Sequence, residues 1–240
     1  MSTDKKGLRV LSLIVFAVGV IVGLVFAALI IWANLEASLF DTDMAGDAAL
    51  ALHCPVVITT RETGTVSASF TNTATWDVNL TVKAHISQGH LSLYREEKTL
   101  LKLAPGQSQG LSWVVTPQDR VYGRIIFVKV ANNRLAPIQG RAGTCGILVV
   151  NIPALTGTVF IILVTALAGL FLFAGNLLWR VANRPALGPS ADVLRAMNWL
   201  TVAITADLVC GFLRAWLPGV LVFVISLLLI AEILRHYTQD

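Results

Sequence analysis

The sequence predicts a membrane protein in which four transmembrane α-helices carry an all-β sandwich, inserted between helices 1 and 2. Three observations support this fold class. The chain is 55% hydrophobic and 13% charged, whereas soluble domains average about 25% charged residues. The apolar residues are concentrated in four blocks. The segment between the first two blocks alternates apolar and polar residues, a period typical of strands.

The first apolar block, residues 10–33, contains no charged residue. It exceeds the roughly 20 residues that a helix needs to cross a bilayer. The apolar core of a signal peptide is only about 7–15 residues long. We therefore expect an uncleaved anchor that follows Lys5, Lys6 and Arg9, with a long cleaved signal as the alternative.

The other blocks predict spans at 152–179, 197–213 and 217–234. The connection RAWLPG is short, so the last two spans form a helical hairpin, and Pro218 suits the first turn of a helix. Tryptophans favour membrane interfaces, and four of them fall at span ends: Trp32, Trp179, Trp199 and Trp216.

The basic residues of the short flanks predict the orientation, because they are enriched on the cytoplasmic side. Apart from Arg214, they fall on one side: Lys5, Lys6, Arg9, Arg180, Arg184, Arg195 and Arg235. We expect both termini in the cytoplasm, the helices in the cell (inner or plasma) membrane, and residues 34–151 outside it. The predicted segments are 1–9 (cytoplasmic), 10–33 (span), 34–53 (linker), 54–150 (sandwich), 152–179 (span), 180–196 (cytoplasmic loop), 197–213 and 217–234 (spans), and 235–240 (cytoplasmic).

The segment from Cys54 contains short β-prone runs, such as TVSASFT, VNLTVKAHI and GRIIFVKV, separated by turn-rich pieces. Strands at roughly 8–12-residue spacing favour a sandwich or barrel. The preceding residues 34–53 are acidic and Ala-rich. They fit either a short helix or a loop that lies on the membrane.

The stretches LTVKAHI, LAPGQSQGLSWVVTP and YGRIIFVKV resemble an immunoglobulin-like or fibronectin-III-like module of bacterial surface proteins, such as the CARDB group. The resemblance covers about 90 residues. It implies an immunoglobulin-like sandwich that serves binding or spacing. It does not assign a function to any individual residue of this chain. Tyr122, which follows a Pro and an Asp and opens a strand, matches a tyrosine corner.

Two of the three cysteines flank this module. Cys54 precedes its first strand and Cys145 lies in its last one, so the pair would form a disulfide in an oxidising compartment. The alternative is a metal site that includes His53, but one His and two distant Cys make a poor zinc set. We expect no metal and no cofactor. Cys210 lies in the third span.

Motifs of catalysis are missing from the sequence, which has no G-x-S-x-G, H-E-x-x-H, Walker loop or C-x-x-C. His85 and His90 are five residues apart, which sends strand side chains to opposite faces. We interpret both as surface residues, and Glu96 and Glu97 as part of a solvated turn. The chain is not expected to be an enzyme or to bind nucleic acid.

The third span carries an aspartate in its apolar run. Asp207, Cys210, Gly211 and Arg214 follow a helical period and form one small, polar face. A carboxylate inside a membrane costs about 2.5–3.5 kcal/mol on insertion scales, so Asp207 is expected to be protonated, paired or hydrogen-bonded. One interpretation is a contact with a neighbouring helix or subunit, the second is a proton, ion or cofactor role, and the third is a locally hydrated edge.

A second packing motif lies in the first span, where Gly19 and Gly23 form a G-x-x-x-G that lets another helix approach closely. The partner is either the second span, at Thr165, Ala168 and Gly169, or another subunit.

These features predict a non-catalytic accessory or assembly subunit of a larger membrane complex. Its sandwich would dock on an exterior partner that the sequence does not identify, and its helices would pack on other membrane subunits within the lipid bilayer. One alternative is a small proton- or ion-coupled transporter or channel component that uses Asp207. Another is a receptor or sensor whose sandwich binds a ligand.

Overall fold

The computed structural model describes residues 2–44, 46–133, 139–184 and 188–238. The chain divides into two compact units. The helical unit contains the residues up to Ile31 and those from Ile161 onward, and the β unit is Trp32–Phe160.

Four long helices are present: α1 Ser2–Leu39, α2 Gly157–Ala182, α3 Pro189–Phe212 and α4 Trp216–Thr238. Each is long and apolar enough to cross a membrane. Their number and order agree with the four predicted spans, and the β unit lies between α1 and α2 as expected.

The helical unit is held together by apolar side chains from all of its helices. α1 contributes Phe16, Val20 and Leu24, which pack with side chains of the other helices in one cluster. The largest of the others are Leu172 and Trp179 on α2, and Met197, Leu200 and Ile204 on α3. Large apolar side chains of α1, α2 and α4 are also exposed at their outer faces, as expected of helices that contact lipid tails.

Helix α3 begins eight residues before the predicted span, at Pro189. Its first turns are polar, so hydropathy does not detect them. They are nevertheless suited to a helix start, with Pro at the first position and Asp192 in the first turn. The predicted cytoplasmic loop 180–196 is therefore mostly helical, because α2 also continues to Ala182.

The β unit is a two-sheet sandwich. The larger sheet has the order β1-β9-β8-β5-β6, with β3 also pairing β9, and the smaller has the order β2-β4-β7. The strands are β1 Ala48–Ala49, β2 Leu52–His53, β3 Val57–Thr59, β4 Gly64–Thr71, β5 Val78–Gln88, β6 His90–Leu103, β7 Ser108–Val115, β8 Ile125–Asn132 and β9 Arg141–Val150.

Alternation decides which side chains form the core of the sandwich. Strand β4 alternates buried and outward positions, and so does the first half of β5. Side chains at every second position thus face the other sheet. The centre of the core is formed by Val66, Val82, Ile86, Leu103, Trp113, Ile126 and Ile147.

The region predicted as a linker, 34–53, contains regular structure. Helix α1 continues to Leu39, and β1 and β2 follow a turn, so the sandwich begins before Cys54. The last turns of α1 cross β9 at Gly146, where a Cβ atom would collide with the backbone of Ala33. This close approach requires glycine at position 146. It occurs where α1 continues past its apolar block to Leu39.

Candidate functional site

Asp207 is fully buried on α3. Its Oδ2 accepts a hydrogen bond from Ser226 Oγ on α4 at 3.0 Å, and its Oδ1 has no partner among the described residues. The Ser226 hydroxyl also lies 3.0 Å from the carbonyl oxygen of Val222. One hydroxyl supplies one proton, so both contacts are complete only when the carboxyl group carries a second proton.

The contact with a neighbouring helix that was expected for Asp207 therefore lies within the chain, on α4. Asp207 lies five residues before the end of α3 at Phe212, and Ser226 lies ten residues after the start of α4 at Trp216. In an apolar helix pair, a hydroxyl that faces a carboxyl group fixes the register, because sliding either helix would leave both groups without a partner.

The polar face predicted for residues 207–214 is divided between two neighbours. Gly211 faces α1, where a Cβ atom would lie 3.2 Å from Ile30 Cγ2. Cys210 faces α4, because a Cβ atom added at Gly219 would lie 3.5 Å from Cys210 Cβ. Arg214 was placed on the helix wrongly: α3 ends at Phe212, and Arg214 has φ +58 in the turn to α4.

The two glycines of α1 also contact helices of the same chain. A Cβ atom at Gly19 would lie 2.7 Å from the backbone nitrogen of Leu172 on α2. One at Gly23 would lie 2.7 Å from Ile204 on α3 and 3.7 Å from Ala168 on α2. These distances leave no room for a larger residue at either position, so this face of α1 is used for intramolecular packing.

The predicted disulfide is present between Cys54 and Cys145, whose Cα atoms are 6.7 Å apart. It links the segment between β2 and β3 to the last strand, β9, and Cys145 lies in the core of the sandwich. Because both thiols are used, the alternative metal site with His53 is wrong. Among the described residues, no group of three His, Cys, Asp or Glu is arranged to hold a metal ion.

A buried polar cluster that the sequence did not predict surrounds His85, which is only 5% exposed. Its Nδ1 lies 2.5 Å from Asp41 Oδ2, and its Nε2 lies 3.0 Å from Glu96 Oε2. Its ring stacks on Tyr94 at 4.2 Å. An ionised carboxylate only accepts hydrogen bonds, so this geometry requires protons on both ring nitrogens or on a carboxylate.

The interpretation of His85 as a surface residue is therefore wrong, and so is that of Glu96 and Glu97 as a turn. Both glutamates lie within strand β6. The hydrogen bond from His85 holds the pKa of Glu96 below its usual value, with a smaller contribution from nearby Lys83. The partner that buries His85 is Asp41, 44 positions away in the chain, and no local pattern indicates such a contact.

Lys129, also buried, completes the attachment of α1 to the sheet. Its Nζ donates to the carbonyl oxygens of Phe40 and Asp41, at 3.1 and 2.5 Å. A cation is favourable near the negative end of a helix, where carbonyl groups lack helical partners. Burial lowers the pKa of Lys129, while Asp41 and Asp43 act in the opposite direction.

The start of α2 has a similar attachment at Glu62. Its Oε2 accepts hydrogen bonds from the backbone N–H groups of Gly157, at 2.7 Å, and Thr59, at 2.8 Å. Partial burial opposes ionisation of this carboxyl group, but the two backbone hydrogen bonds outweigh it and lower the pKa of Glu62. The carboxylate supplies a partner to a free N–H at the helix start.

The free edge of the larger sheet is formed by β6, whose 14 residues pair only with β5 in that sheet. The residues His90–Tyr94 are exposed at every position. They carry no acidic or lysine/arginine side chain and include Leu91, Leu93 and Tyr94. From Arg95 to Lys98 every residue is charged. We call residues His90–Tyr94 the edge strip.

Two further predictions concern the sandwich. Tyr122 is not a tyrosine corner: it is 62% exposed and has φ +52 in the turn before β8. A cavity near Phe70, Leu80, Asn132 and Arg141 has a volume of about 170 Å³. Small-molecule sites usually occupy about 300–1,000 Å³, so this cavity gives little support to the ligand-binding alternative.

No family model matches the chain, and no curated protein does. Among solved structures, it is similar to the CARDB domain of a Pyrococcus furiosus protein, solved in complex with di-metal ions. The identity is 14%, the match covers 45% of this chain and 96% of that one, and the TM-score is 0.35.

Two enzymes are also similar to part of the chain. The first is a Bacteroides uniformis beta-glucuronidase (15% identity, 41% of this chain, 12% of that one, TM-score 0.30). The second is a Pseudomonas fluorescens alkylpurine DNA glycosylase bound to DNA (19% identity, 43% and 31%, TM-score 0.34). The neighbours thus include the CARDB group that the sequence resembles. At these values, we transfer no ligand or activity to this chain.

Proposed function

We propose that this chain is a non-catalytic accessory or assembly subunit of a larger membrane complex. Its four helices insert in the cell membrane with both termini in the cytoplasm, and its sandwich docks on a partner outside. The basic residues on one side of the spans support this orientation. The Cys54–Cys145 disulfide supports an oxidising location for the sandwich.

The edge strip is the observation that carries the proposal. Free strand edges invite pairing with another chain, and proteins usually protect them with charged side chains, proline, bulges or a covering element. Charged residues protect β6 from Arg95 to Lys98, but the edge strip has no charged side chain. The register shift at Ser87 and Gln88 leaves residues 91–93 without β5 partners among the described residues, so a bulge is the protection that this strip has. Leu93 is 58% exposed there. An extended segment of a partner would pair with this edge and cover its apolar side chains.

The remaining polar groups support a structural role rather than a reaction centre. Asp207 contacts Ser226 within the helix pair, and His85 contacts two carboxylates within the sandwich. Each is engaged in holding two elements of the same chain together. The helix faces at Gly19, Gly23 and Gly211 are likewise used inside the chain, so partner helices would contact the outer faces of the bundle instead.

A variant of the edge strip tests the proposal. The tagged chain would be expressed in its native membrane, extracted in mild detergent, and sized on a density gradient. Wild type should migrate in an assembly heavier than the lone chain. Leu91→Lys with Leu93→Lys should release the chain, because two buried lysines oppose docking.

Val114→Lys is the matched control, since Val114 is 55% exposed on β7 of the other sheet. It should leave the assembly intact. A wild-type chain that migrates alone, or a strip variant that stays in the assembly, contradicts the docking role.

A proton- or ion-coupled component is the second candidate. The observation that favours it is the Oδ1 of Asp207, which has no hydrogen-bond partner within the described part of the chain. Ionisable groups inside membranes mark proton and ion pathways. Flux into liposomes discriminates between the two candidates. The second predicts flux with wild type that Asp207→Asn abolishes while the variant still folds, and the first predicts no flux above that of empty liposomes.

A further inference from the structure

The helical unit has an apolar groove of about 700 Å³ between α1, α3 and α4. Its floor on α1 includes Val10, Ala17 and Val20, and its walls include Leu200 on α3 and Phe223 on α4. The volume lies in the range of about 300–1,000 Å³ that binding sites occupy. The groove is distinct from the Asp207–Ser226 contact, since neither residue lines it.

The groove extends along most of α1. Its lining there runs from Val10 to Ala28, which is about 27 Å at 1.5 Å per residue. The wall on α4 is shorter and runs from Phe223 to Leu234, about 16 Å. The hydrocarbon core of a bilayer is about 30 Å thick, so one leaflet contributes roughly 15 Å. The part of the groove that α4 lines therefore has the depth of one acyl chain.

The mouth of the groove, next to Val10 and Leu234, has unbalanced positive charge. Lys6 precedes Val10 by one turn and Leu13 by two, so it lies on the same face of α1 as the groove floor. Arg9 precedes Leu13 by one turn. Both side chains are exposed, and within the described part of the chain neither forms an ion pair.

The charges of the other two walls are balanced locally. On α3, Arg195 pairs with Asp192 at 3.3 Å. On α4, Arg235 pairs with Glu232 at 3.8 Å. Lys6 and Arg9 are therefore the charges at the mouth that remain to attract an anion.

We propose that the groove binds an acyl chain of an anionic phospholipid from the leaflet on the N-terminal side, with the phosphate headgroup at Lys6 and Arg9. A basic residue near an anionic lipid surface contributes roughly a fivefold preference. The inference rests on membrane insertion of the helices, the first part of the proposed function, and is independent of the docking role of the sandwich.

The experiment has two stages. Extraction of membranes with alkaline carbonate comes first: release of the chain would overturn both insertion and this inference. A retained chain is then purified in full length and incubated with equimolar phosphatidylglycerol and phosphatidylcholine that carry identical acyl chains. Native mass spectrometry counts the lipids that each chain retains.

Wild type should retain one phosphatidylglycerol with a preference of at least about fivefold over phosphatidylcholine, and raised salt should weaken the preference. Lys6→Gln with Arg9→Gln should bring the ratio close to one. Ala17→Trp should fill the groove and reduce retention of both lipids. Val18→Trp is its control at the same depth, because Val18 is exposed but does not line the groove.

Equal retention of the two lipids by wild type, or a preference that survives in the Lys6/Arg9 variant, overturns the inference. So does full retention in Ala17→Trp. If Ala17→Trp loses its helical circular dichroism, Ala17→Leu replaces it with the same expected direction. A chain that prefers phosphatidylglycerol but migrates alone on the gradient keeps the lipid site while contradicting the docking role.

Discussion

The helical unit and the sandwich each bury an ionisable side chain, and they satisfy it to different extents. Asp207 has one hydrogen-bond partner, Ser226, and one oxygen without a partner among the described residues. His85 has a carboxylate at each ring nitrogen. The comparison indicates that the His85 cluster contributes to stability through two hydrogen bonds to carboxyl groups, whereas Asp207 contributes mainly through the register of two helices.

The difference follows from what each region offers as partners. Helices α3 and α4 are apolar around Asp207. Among the described residues, its hydrogen-bond partner is a single hydroxyl group, that of Ser226. The sandwich places β5 next to β6 and beneath the end of α1, and both neighbours carry carboxylates. Truncation of His85 should therefore lower the free energy of unfolding, because it removes a partner from both carboxyl groups at once.

The largest expected effect is the loss of the disulfide that staples the sandwich. Cys54→Ser with Cys145→Ser should lower the free energy of unfolding of the β unit by about 2–5 kcal/mol. Thermal unfolding with and without reductant measures it. Cys210→Ser is the control, and should leave the transition in place. A double variant that is as stable as wild type would show that the link adds nothing beyond strand pairing.

Truncation of His85 is the next largest effect. His85→Ala removes the imidazole that lies between Asp41 and Glu96. Because it leaves the mostly buried Asp41 carboxyl group without that partner, it should lower the free energy of unfolding by about 1–3 kcal/mol. His90→Ala is the control, since His90 is exposed. Denaturant unfolding of both variants provides the measurement. Equal stability of the two would contradict the structural role of the cluster.

Variants of the α3–α4 contact sharpen the comparison. Ser226→Ala removes the hydrogen-bond partner that Asp207 has among the described residues and should lower the free energy of unfolding by about 1–2 kcal/mol. Asp207→Asn should cost less, because its amide group can donate to Ser226 Oγ and leave the hydroxyl proton for Val222. Unfolding in mixed micelles compares the two. An Asn variant that is less stable than the Ser226 variant would mean that a charged Asp207 is required.

The smallest effect is the pH dependence of the Glu62 contact. The pKa of Glu62 is lowered from its usual value of 4.5 in the folded state. Its stabilisation is therefore fully present above pH 4.5 and is lost as the pH falls through the lower folded value. The difference in melting temperature between wild type and Glu62→Gln should shrink below pH 4.5. A difference that grows on acidification would contradict the assignment, and Glu97→Gln serves as the control.

The sequence predicts what depends on local composition. Hydropathy locates four helices, and the positions of Cys54 and Cys145 at the two ends of a β domain that is expected outside the membrane predict their disulfide. Asp207 is identified as a candidate site directly from the sequence, because it is an aspartate in an apolar run with few polar residues near it. The identification of Ser226 as its partner requires the register of the α3–α4 hairpin, which composition does not give.

Contacts between distant segments could not be predicted in this way. His85 lies on a strand, and the groups that contact it are Asp41, in the turn after α1, and Tyr94 of the neighbouring strand. Arg214 continues the helical spacing of Asp207, but the chain has already turned. The stretch YREEK of β6 resembles a solvated turn because it is charged, although its charged residues lie within the strand and protect a sheet edge.

Site-specific photo-crosslinking in intact native membranes tests the central claim most directly. A crosslinking amino acid at Leu93, in the edge strip, should capture one partner protein of defined mass. The same amino acid at Val114 should capture none, and capture at Leu93 should disappear in Leu91→Lys. Capture of only lipid at Leu93, or of the same proteins at both positions, would contradict the proposal that this edge docks on a partner.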